Sequence, residues 1–217
     1  MLRTAFLHGA SAIALSAVAP VPRPSPSALP SGDPLDLCEG NPAIPYDRPV
    51  GLTMRVLDGP DFDLMKYRGY VVWINIFATW CPPCNQEQPG VVSLAQKYYD
   101  RGLRVIGLDY RESDDTVRAY RKKYGMQFPI MMDSRGSFSR ALQQGSADSE
   151  LAFPAHLMFT PWGYLYCYRL GSMGERELVH KLDALMTTLP SPPPPGPIAT
   201  QTPWPTPTAS PTPGGHR

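Results

Sequence analysis

The segment Tyr70–Pro89, "YVVWINIFATWCPPCNQEQP", decides how this chain folds. It begins with an unbroken run of β-branched and aromatic residues up to Ala78, a pattern typical of a strand that is buried on both faces. Residues able to form a helix follow, and Pro82 and Pro83 fall where the first helical turn tolerates proline. The segment therefore predicts a buried strand, a tight turn and a helix, with Cys81 at the amino end of the helix.

The two cysteines of this segment are spaced for thiol–disulfide exchange. The first N–H groups of a helix lack helical partners and carry a positive potential, and both effects favour a thiolate on Cys81. Cys84 follows one helical turn later, within reach of the first sulfur. We therefore predict that Cys81 is the exposed, attacking sulfur and Cys84 the resolving one. Because Pro82 and Pro83 donate no N–H, mainly the Cys84 amide remains as a hydrogen-bond donor to Cys81. We therefore expect only moderate stabilisation of the thiolate and a fairly reducing cysteine pair.

A C-x-x-C pair can also serve as a purely structural disulfide or as half of a zinc site. Zinc usually requires a second ligand pair of similar spacing. The other two cysteines, Cys38 and Cys167, are far apart in the chain, and the four histidines are scattered. The strand–helix context favours redox chemistry, with no metal and no cofactor.

Composition confines the folded part to the middle of the chain. The chain has 27 prolines in 217 residues, and many of them cluster on either side of its centre. These clusters predict a Pro/Ser-rich linker at 20–37 and a disordered Pro/Thr-rich tail at 190–217. One compact domain is expected between them, at 38–189. The net charge of +1, from 20 basic and 19 acidic residues, gives no support to a nucleic-acid partner.

The first 19 residues read as a signal segment. Arg3 precedes a mildly apolar stretch that is too short to span a membrane, and Ala17-Val18-Ala19 forms an A-x-A cleavage motif. The alternative is a disordered N-terminal tail. We expect the protein outside the cytoplasm, either secreted or tethered to the membrane by an uncleaved N-terminal segment.

Between the two proline-rich ends, strand and helix patterns alternate. Asp58-Gly59-Pro60, set between alternating apolar residues, predicts a β-hairpin near the start of the domain. Ser113, followed by Asp114, predicts the capped start of a second helix. Later segments predict a strand and a short helix, a terminal hairpin and a last helix. This alternation indicates an α/β fold with a mixed sheet flanked by helices.

The quoted segment resembles the active-site motif of the thioredoxin superfamily, in particular its extracytoplasmic TlpA/ResA branch. The shared pattern is Asn-x-x-Ala-x-Trp-Cys-x-x-Cys followed by Glu and Pro, and it starts here at Asn75. The similarity runs from about Val50 to Leu189 and includes an extra helix–strand segment at 112–133. It implies a thioredoxin-like three-layer fold with an N-terminal β-hairpin, a central mixed sheet and helices on both faces.

The resemblance also implies roles for residues outside the cysteine pair. Pro154 corresponds to the cis-proline opposite the disulfide, and Phe153 before it would pair through its backbone with a substrate strand. Trp80 would shield the edge of the disulfide, although a plain core tryptophan is the alternative. Together with Pro82 and Pro83 these residues form the expected active-site loop.

Glu87 lies three residues after Cys84, on the same helix stripe as both sulfurs. It matches a glutamate common in this branch, and we hypothesise that it is partly desolvated and assists proton transfer at Cys84. A first-turn glutamate favoured by the helix dipole is the alternative. Asn75 replaces the buried acid of classical thioredoxins and cannot accept that proton, and His156 is interpreted as a satisfied core or edge histidine.

Cys38 and Cys167 remain. In an oxidising compartment they could form a second, structural disulfide that pins the N-terminal extension to the domain, and two free buried cysteines are the alternative.

The resulting prediction is an extracytoplasmic thiol–disulfide oxidoreductase that reduces protein disulfides. The resemblance implies a disulfide-containing client protein, with apocytochrome c as a frequent one, and a membrane thiol–disulfide electron donor. We expect a monomer. A Sco-like copper-delivery protein and a thiol peroxidase are the alternative functions; the first pairs wider-spaced cysteines with a distal histidine, and the second usually places a threonine before its peroxidatic cysteine.

Overall fold

The structure is a computed structural model that describes residue 38, residue 44 and the ranges 48–143 and 152–188. The predicted signal segment (1–19), linker (20–37) and tail (190–217) lie outside the described residues, as does Leu189 at the predicted end of the domain.

A five-stranded mixed sheet forms the centre of the described fold, in the order β5-β4-β3-β6-β7. Strands β3, β4 and β5 run parallel, whereas β6 and β7 run antiparallel to their neighbours. The central strand, β3, is buried along its whole length, as its apolar run predicts. The strands are β3 Val71–Phe77, β4 Leu103–Tyr110, β5 Ile130–Asp133, β6 Ala155–Phe159 and β7 Leu165–Leu170.

Among the described residues, four helices cover the two faces of this sheet, and the second of them begins after Ser113 as the sequence predicts. They are α1 Pro82–Lys97, α2 Asp114–Tyr124, α3 Ser137–Gln143 and α4 Glu175–Thr188. Ser113 caps α2 by accepting a bond from the Thr116 amide, and Gly125 ends it in the left-handed conformation. Within the described ranges, no helix is both long and apolar enough to cross a membrane.

Side-chain alternation along β3 sorts the core into two clusters. Trp73 and Phe77 face the cluster that contains the apolar stripes of α1, α2 and α4, whereas Ile74 and Ile76 face the cluster that includes α3. Helices on both faces of a mixed sheet confirm the predicted thioredoxin-like architecture. Alternation also turns Asn75 toward α1, so a polar position lies in the sheet beneath the active helix.

The predicted N-terminal hairpin is also confirmed. Strands β1 Thr53–Met54 and β2 Phe62–Asp63 pair antiparallel. The segment between them joins the edge of the main sheet, because Val56 bridges to Met131 and the Leu57 amide donates to the Ile130 carbonyl at 2.8 Å.

A disulfide joins Cys38 to Cys167 in β7. Cys167 is buried in the core cluster that contains the apolar side chains of α1, and Cys38 packs against that cluster. The Lys181 ammonium, itself buried, donates to Cys38 Sγ at 3.3 Å. The bond therefore attaches the beginning of the domain to its last strand, across 129 residues of sequence.

Replacing both of these cysteines (Cys38→Ala with Cys167→Ala) is expected to lower the free energy of unfolding by about 4–5 kcal/mol, because it releases a long loop closure in the unfolded chain. Denaturant titration of the oxidised full-length protein measures the loss. The matched control is wild-type protein with only the Cys81–Cys84 pair reduced. A loss below about 1 kcal/mol would contradict a stabilising role.

Candidate active site

The Cys81–Cys84 pair lies at the amino end of α1, which a short turn separates from the end of β3 at Phe77. Cys81 is the N-cap residue, with extended backbone angles, and its Sγ accepts the Cys84 amide hydrogen at 3.2 Å. Pro82 and Pro83 occupy the first helical positions and offer no further N–H. The single-donor arrangement predicted from the sequence is therefore present.

Both sulfurs are bonded to each other, and both residues are buried: Cys81 is 3% exposed and Cys84 2%. The prediction of an exposed Cys81 is therefore wrong for the oxidised state. In this state Cys81 and Cys84 belong to the core cluster on the α1 face, and Phe153 packs against that cluster. Only a small part of the disulfide remains accessible to solvent in this state.

Three aromatic rings lie in contact beside the cysteine pair, with Phe153 between Trp80 and Tyr110. Trp80 is 61% exposed, so the alternative of a core tryptophan is wrong; Trp73 fills that role instead. The Trp80 ring meets the Phe153 ring edge to face at a centroid distance of 6.0 Å, and Tyr110 contacts the other side of Phe153 at 5.0 Å. The Phe153–Pro154 peptide bond is cis.

Glu87 projects from the second turn of α1 into the interior, so the interpretation as a first-turn glutamate is wrong. Its side chain is only 6% exposed, and Oε1 accepts the Met173 amide hydrogen at 3.0 Å. Burial raises the pKa of Glu87 to about 7; the Met173 hydrogen bond opposes the shift and the charge of Glu177 adds to it. A carboxyl group with this pKa can exchange a proton near neutral pH.

His156 lies in β6 directly opposite Asn75 and is fully buried. Its Nδ1 accepts the Trp73 indole hydrogen at 3.2 Å, and its Nε2 lies 3.4 Å from Glu87 Oε1. Among the described residues, Nε2 makes no hydrogen bond of acceptable geometry, so the interpretation as a satisfied core histidine is confirmed for Nδ1 only.

An acidic pair, the buried Asp109 and the half-buried Glu112, supports the turn before Cys81, and the sequence analysis did not identify it. The two Glu112 carboxylate oxygens accept the Thr79 amide and hydroxyl hydrogens, each at 2.5 Å, and the Glu112 amide donates to Asp109 Oδ2 at 3.0 Å. Burial raises the pKa of Asp109 to about 8. The sequence could have indicated this pair through the position of Asp109 near the end of a buried strand. The carboxyl ends of parallel strands meet at one edge of a sheet, so Asp109 lies close to the end of β3.

The first turn of α1 is held from outside as well. The Asn85 side-chain amide donates to the Thr79 carbonyl at 3.0 Å, and the Tyr124 hydroxyl donates to Asn85 Oδ1 at 3.1 Å. Helix α2 therefore supports the cysteine loop through Tyr124. Across the described ranges, no group of three or more His, Cys, Asp or Glu residues is placed to hold a metal ion.

Comparison with known proteins places these features in a family. A family model described as the AhpC/TSA family matches residues 47–166. The thioredoxin-like protein YneN of Bacillus subtilis is 30% identical over 135 residues, which cover 60% of this chain and 74% of YneN. The thiol-disulfide oxidoreductase ResA of Bacillus thuringiensis is 36% identical over 80 residues, 37% of this chain; the chain matches less than half of that protein, 46% of its length.

A solved structure shows the same fold. The thiol:disulfide interchange protein of the thioredoxin family from Chlorobium tepidum superposes with a TM-score of 0.56 at 23% identity, covering 64% of this chain and 95% of that one.

Glu87→Gln is expected to make the protein more stable at pH 8 and to change it little at pH 5. The folded-state pKa of about 7 exceeds the ordinary value of 4.5, so folding binds a proton between these values and stability is lost as pH rises through 7. The glutamine amide has no charged form, so the variant does not lose stability in this way. For this pKa difference, the loss in the wild-type protein is at most about 3 kcal/mol.

Denaturant titration of both oxidised proteins at pH 5 and pH 8 tests this expectation. Glu175→Gln, the same change on an exposed turn of α4, is the matched control and should show no such pH effect. If Glu87→Gln follows the wild-type pH dependence, the buried carboxyl does not bind the proton as described.

Proposed function

Because the chain belongs to the AhpC/TSA family of thioredoxin-like proteins, we propose that it is a thiol–disulfide oxidoreductase that reduces protein disulfides outside the cytoplasm. The observation that carries the proposal is the Cys84 amide hydrogen bond to Cys81 Sγ at the amino end of α1. A donor and a helix dipole directed at one sulfur stabilise it as a thiolate, and the thiolate is the attacking species.

The reaction begins with the reduced pair. The Cys81 thiolate attacks a client disulfide, one client sulfur leaves, and a mixed disulfide joins the client to Cys81. Cys84 then attacks Cys81 Sγ, the client is released as a dithiol, and the oxidised pair seen in the structure results. Cys84 is buried, which favours its reaction with the neighbouring sulfur over reaction with other molecules.

Glu87 is the proposed proton acceptor in the second step. Residues three apart on a helix are neighbours, so the carboxyl group and Cys84 lie on one stripe of α1. Its raised pKa allows Glu87 to hold the Cys84 proton near neutral pH and to release it when the pair is reduced again.

The client is expected to bind at the aromatic surface beside the disulfide. Trp80 offers an exposed ring, and Phe153 lies between it and Tyr110. We propose that the backbone of Phe153 pairs with an extended client segment while Pro82 and Pro83 border its path. The Pro154 carbonyl is not available for this, because it accepts the Gly171 amide hydrogen at 2.8 Å. An unfolded chain such as apocytochrome c could present a disulfide in this way.

Location and electron supply complete the proposal. The apolar stretch before Ala19 would direct the protein out of the cytoplasm, either secreted or held by an uncleaved segment. A membrane thiol–disulfide electron donor would return the pair to the dithiol state, and the protein would act as a monomer.

Two observations count against the alternative functions. A copper-delivery site needs a histidine ligand, and His156 instead binds Trp73 and faces Glu87. A peroxidatic cysteine usually has a threonine hydroxyl beside it, and the Thr79 hydroxyl is bound to Glu112.

Cys84→Ala is expected to trap the reaction halfway. With the full-length reduced protein and a disulfide-containing model protein, this variant should accumulate a covalent complex that dithiothreitol dissolves and that mass spectrometry maps to Cys81. Cys81→Ala is the matched variant and should give no complex and only background reduction of the substrate. Wild-type rates from Cys81→Ala would refute the mechanism.

Export is tested on the full chain produced in a bacterium. Protease treatment of spheroplasts should digest the protein, and the mass of its N-terminal peptide shows whether cleavage follows Ala19. Replacing Ile13 and Leu15 by Asp should retain the protein inside the cell, because charges interrupt the apolar stretch. Wild-type protein protected from the protease would contradict an extracytoplasmic function.

A further inference from the structure

The buried histidine beneath α1 has one ring nitrogen whose role the packing does not explain. His156 is 0% exposed, and its Nε2 has no hydrogen-bond partner of acceptable geometry. Glu87 Oε1 lies 3.4 Å from this nitrogen. A buried polar nitrogen without a bond costs about 1–3 kcal/mol, so its retention beside the redox pair requires a reason.

Trp73 determines which nitrogen of His156 carries the proton. The indole Nε1–H can only donate, and it lies 3.2 Å from His156 Nδ1, so Nδ1 must be the acceptor. In the neutral ring the hydrogen is then on Nε2, where it faces Glu87 Oε1. Trp73 also opposes a second protonation, because Nδ1 is occupied by a donor.

The two oxygens of Glu87 are consequently in different situations. Oε1 accepts the Met173 amide hydrogen and faces the Nε2–H of His156. Oε2 is buried and has no hydrogen-bond partner among the described residues. The carboxyl group is thus held by one oxygen while the other remains open, one helical turn from Cys84.

We propose that His156 is a positioning residue for the redox step: with its tautomer fixed by Trp73, it donates Nε2–H to Glu87 Oε1 and so leaves Oε2 to receive the Cys84 proton. This inference rests on the proposed thiol–disulfide exchange. It adds a residue that never touches the client or the sulfurs and acts through Glu87.

The atoms balance in the resolving step. Cys84 transfers its S–H proton to Glu87 Oε2 as its sulfur forms the bond to Cys81 Sγ. The bond between Cys81 and the client sulfur breaks, its electron pair stays on the client sulfur, and that sulfur takes a proton from water. The client gains two electrons and the cysteine pair loses two.

The charged and titratable groups around this pair come from three elements besides α1 and β6. Glu177 of α4 raises the pKa of Glu87, and burial is the main cause of that shift. Burial lowers the pKa of His156 to about 3; a backbone hydrogen bond with Gly171 opposes this shift, and the charge of Arg169 in β7 acts in the same direction as burial. Tyr120 of α2 also lies within the electrostatic influence of Glu87. These influences leave His156 neutral and make the carboxyl group the titrating partner.

The tautomer is tested first, on the oxidised wild-type full-length protein, which requires no turnover. Nitrogen-15 NMR should show a protonated Nε2 and an unprotonated Nδ1 for His156 from pH 5 to pH 8. A proton on Nδ1, or a ring that becomes doubly protonated in this range, would overturn the proposal even if the enzyme reduces disulfides normally.

The role toward Glu87 is tested with two matched variants. His156→Gln can place an amide N–H near the position of Nε2, whereas His156→Asn can reach only the position of Nδ1. Carbon-13 NMR of the oxidised proteins, with the Glu87 signal assigned through Glu87→Gln, measures the carboxyl titration. We expect the Glu87 midpoint to rise by about half a unit to one unit in His156→Asn and to stay near wild type in His156→Gln.

Turnover then separates this inference from the proposed function. The rate of mixed-disulfide resolution, followed against pH in single turnovers with a disulfide-containing model protein, should shift toward alkaline pH in His156→Asn by the same amount as the titration. Equal midpoints in wild type and both variants would refute the role of His156 and leave the oxidoreductase intact. Disulfide reduction absent from wild-type protein would refute the function, while the two NMR tests would still decide the position of the proton.

Discussion

The amino end of α1 is the constraint on which the rest of the site depends. Backbone N–H groups without helical partners occur at helix starts, and Cys81 can use the Cys84 amide because the short turn after β3 places it at the N-cap of α1. The strand is fixed by burial on both faces, and the turn is fixed by the bonds between Thr79 and Glu112. A shift of the turn by one residue would remove the donor from the sulfur without changing the sequence motif.

The surroundings of α1 favour a charged group at its amino end and neutral groups beneath it. At its amino end the backbone donor favours the charged sulfur, whereas beneath it burial favours the neutral forms of Glu87, Asp109 and His156. In the proposed mechanism Cys81 lies where ionisation is favoured, and Cys84 gives its proton to Glu87, where burial favours protonation. The polar row beneath α1 supplies this second environment, because β-strand alternation turns Asn75 and His156 to the same face as Trp73.

Local patterns carry most of what could be predicted from the sequence. The strand before Cys81, the caps of α2 and the hairpin at Asp58 follow from short-range chemistry, and the motif beginning at Asn75 identifies the family. The burial of Cys81 could not be predicted, because it depends on how the closed disulfide packs against Phe153. The partners of His156 come from β3 and α1, more than 60 residues away along the chain, and no local pattern shows such contacts.

The two disulfides belong to the same core cluster, yet they differ in what their reduction does to the unfolded chain. Cysteines 129 residues apart close a loop whose loss of entropy corresponds to about 5 kcal/mol, whereas a separation of 3 residues corresponds to about 2 kcal/mol. Opening the short ring therefore costs little stability, so the fold can survive each cycle of reduction. Opening the long one would remove a large share of the stability typical of a domain. This difference argues that electrons pass through Cys81 and Cys84, while the Cys38–Cys167 bond holds the frame in which α1 keeps its position.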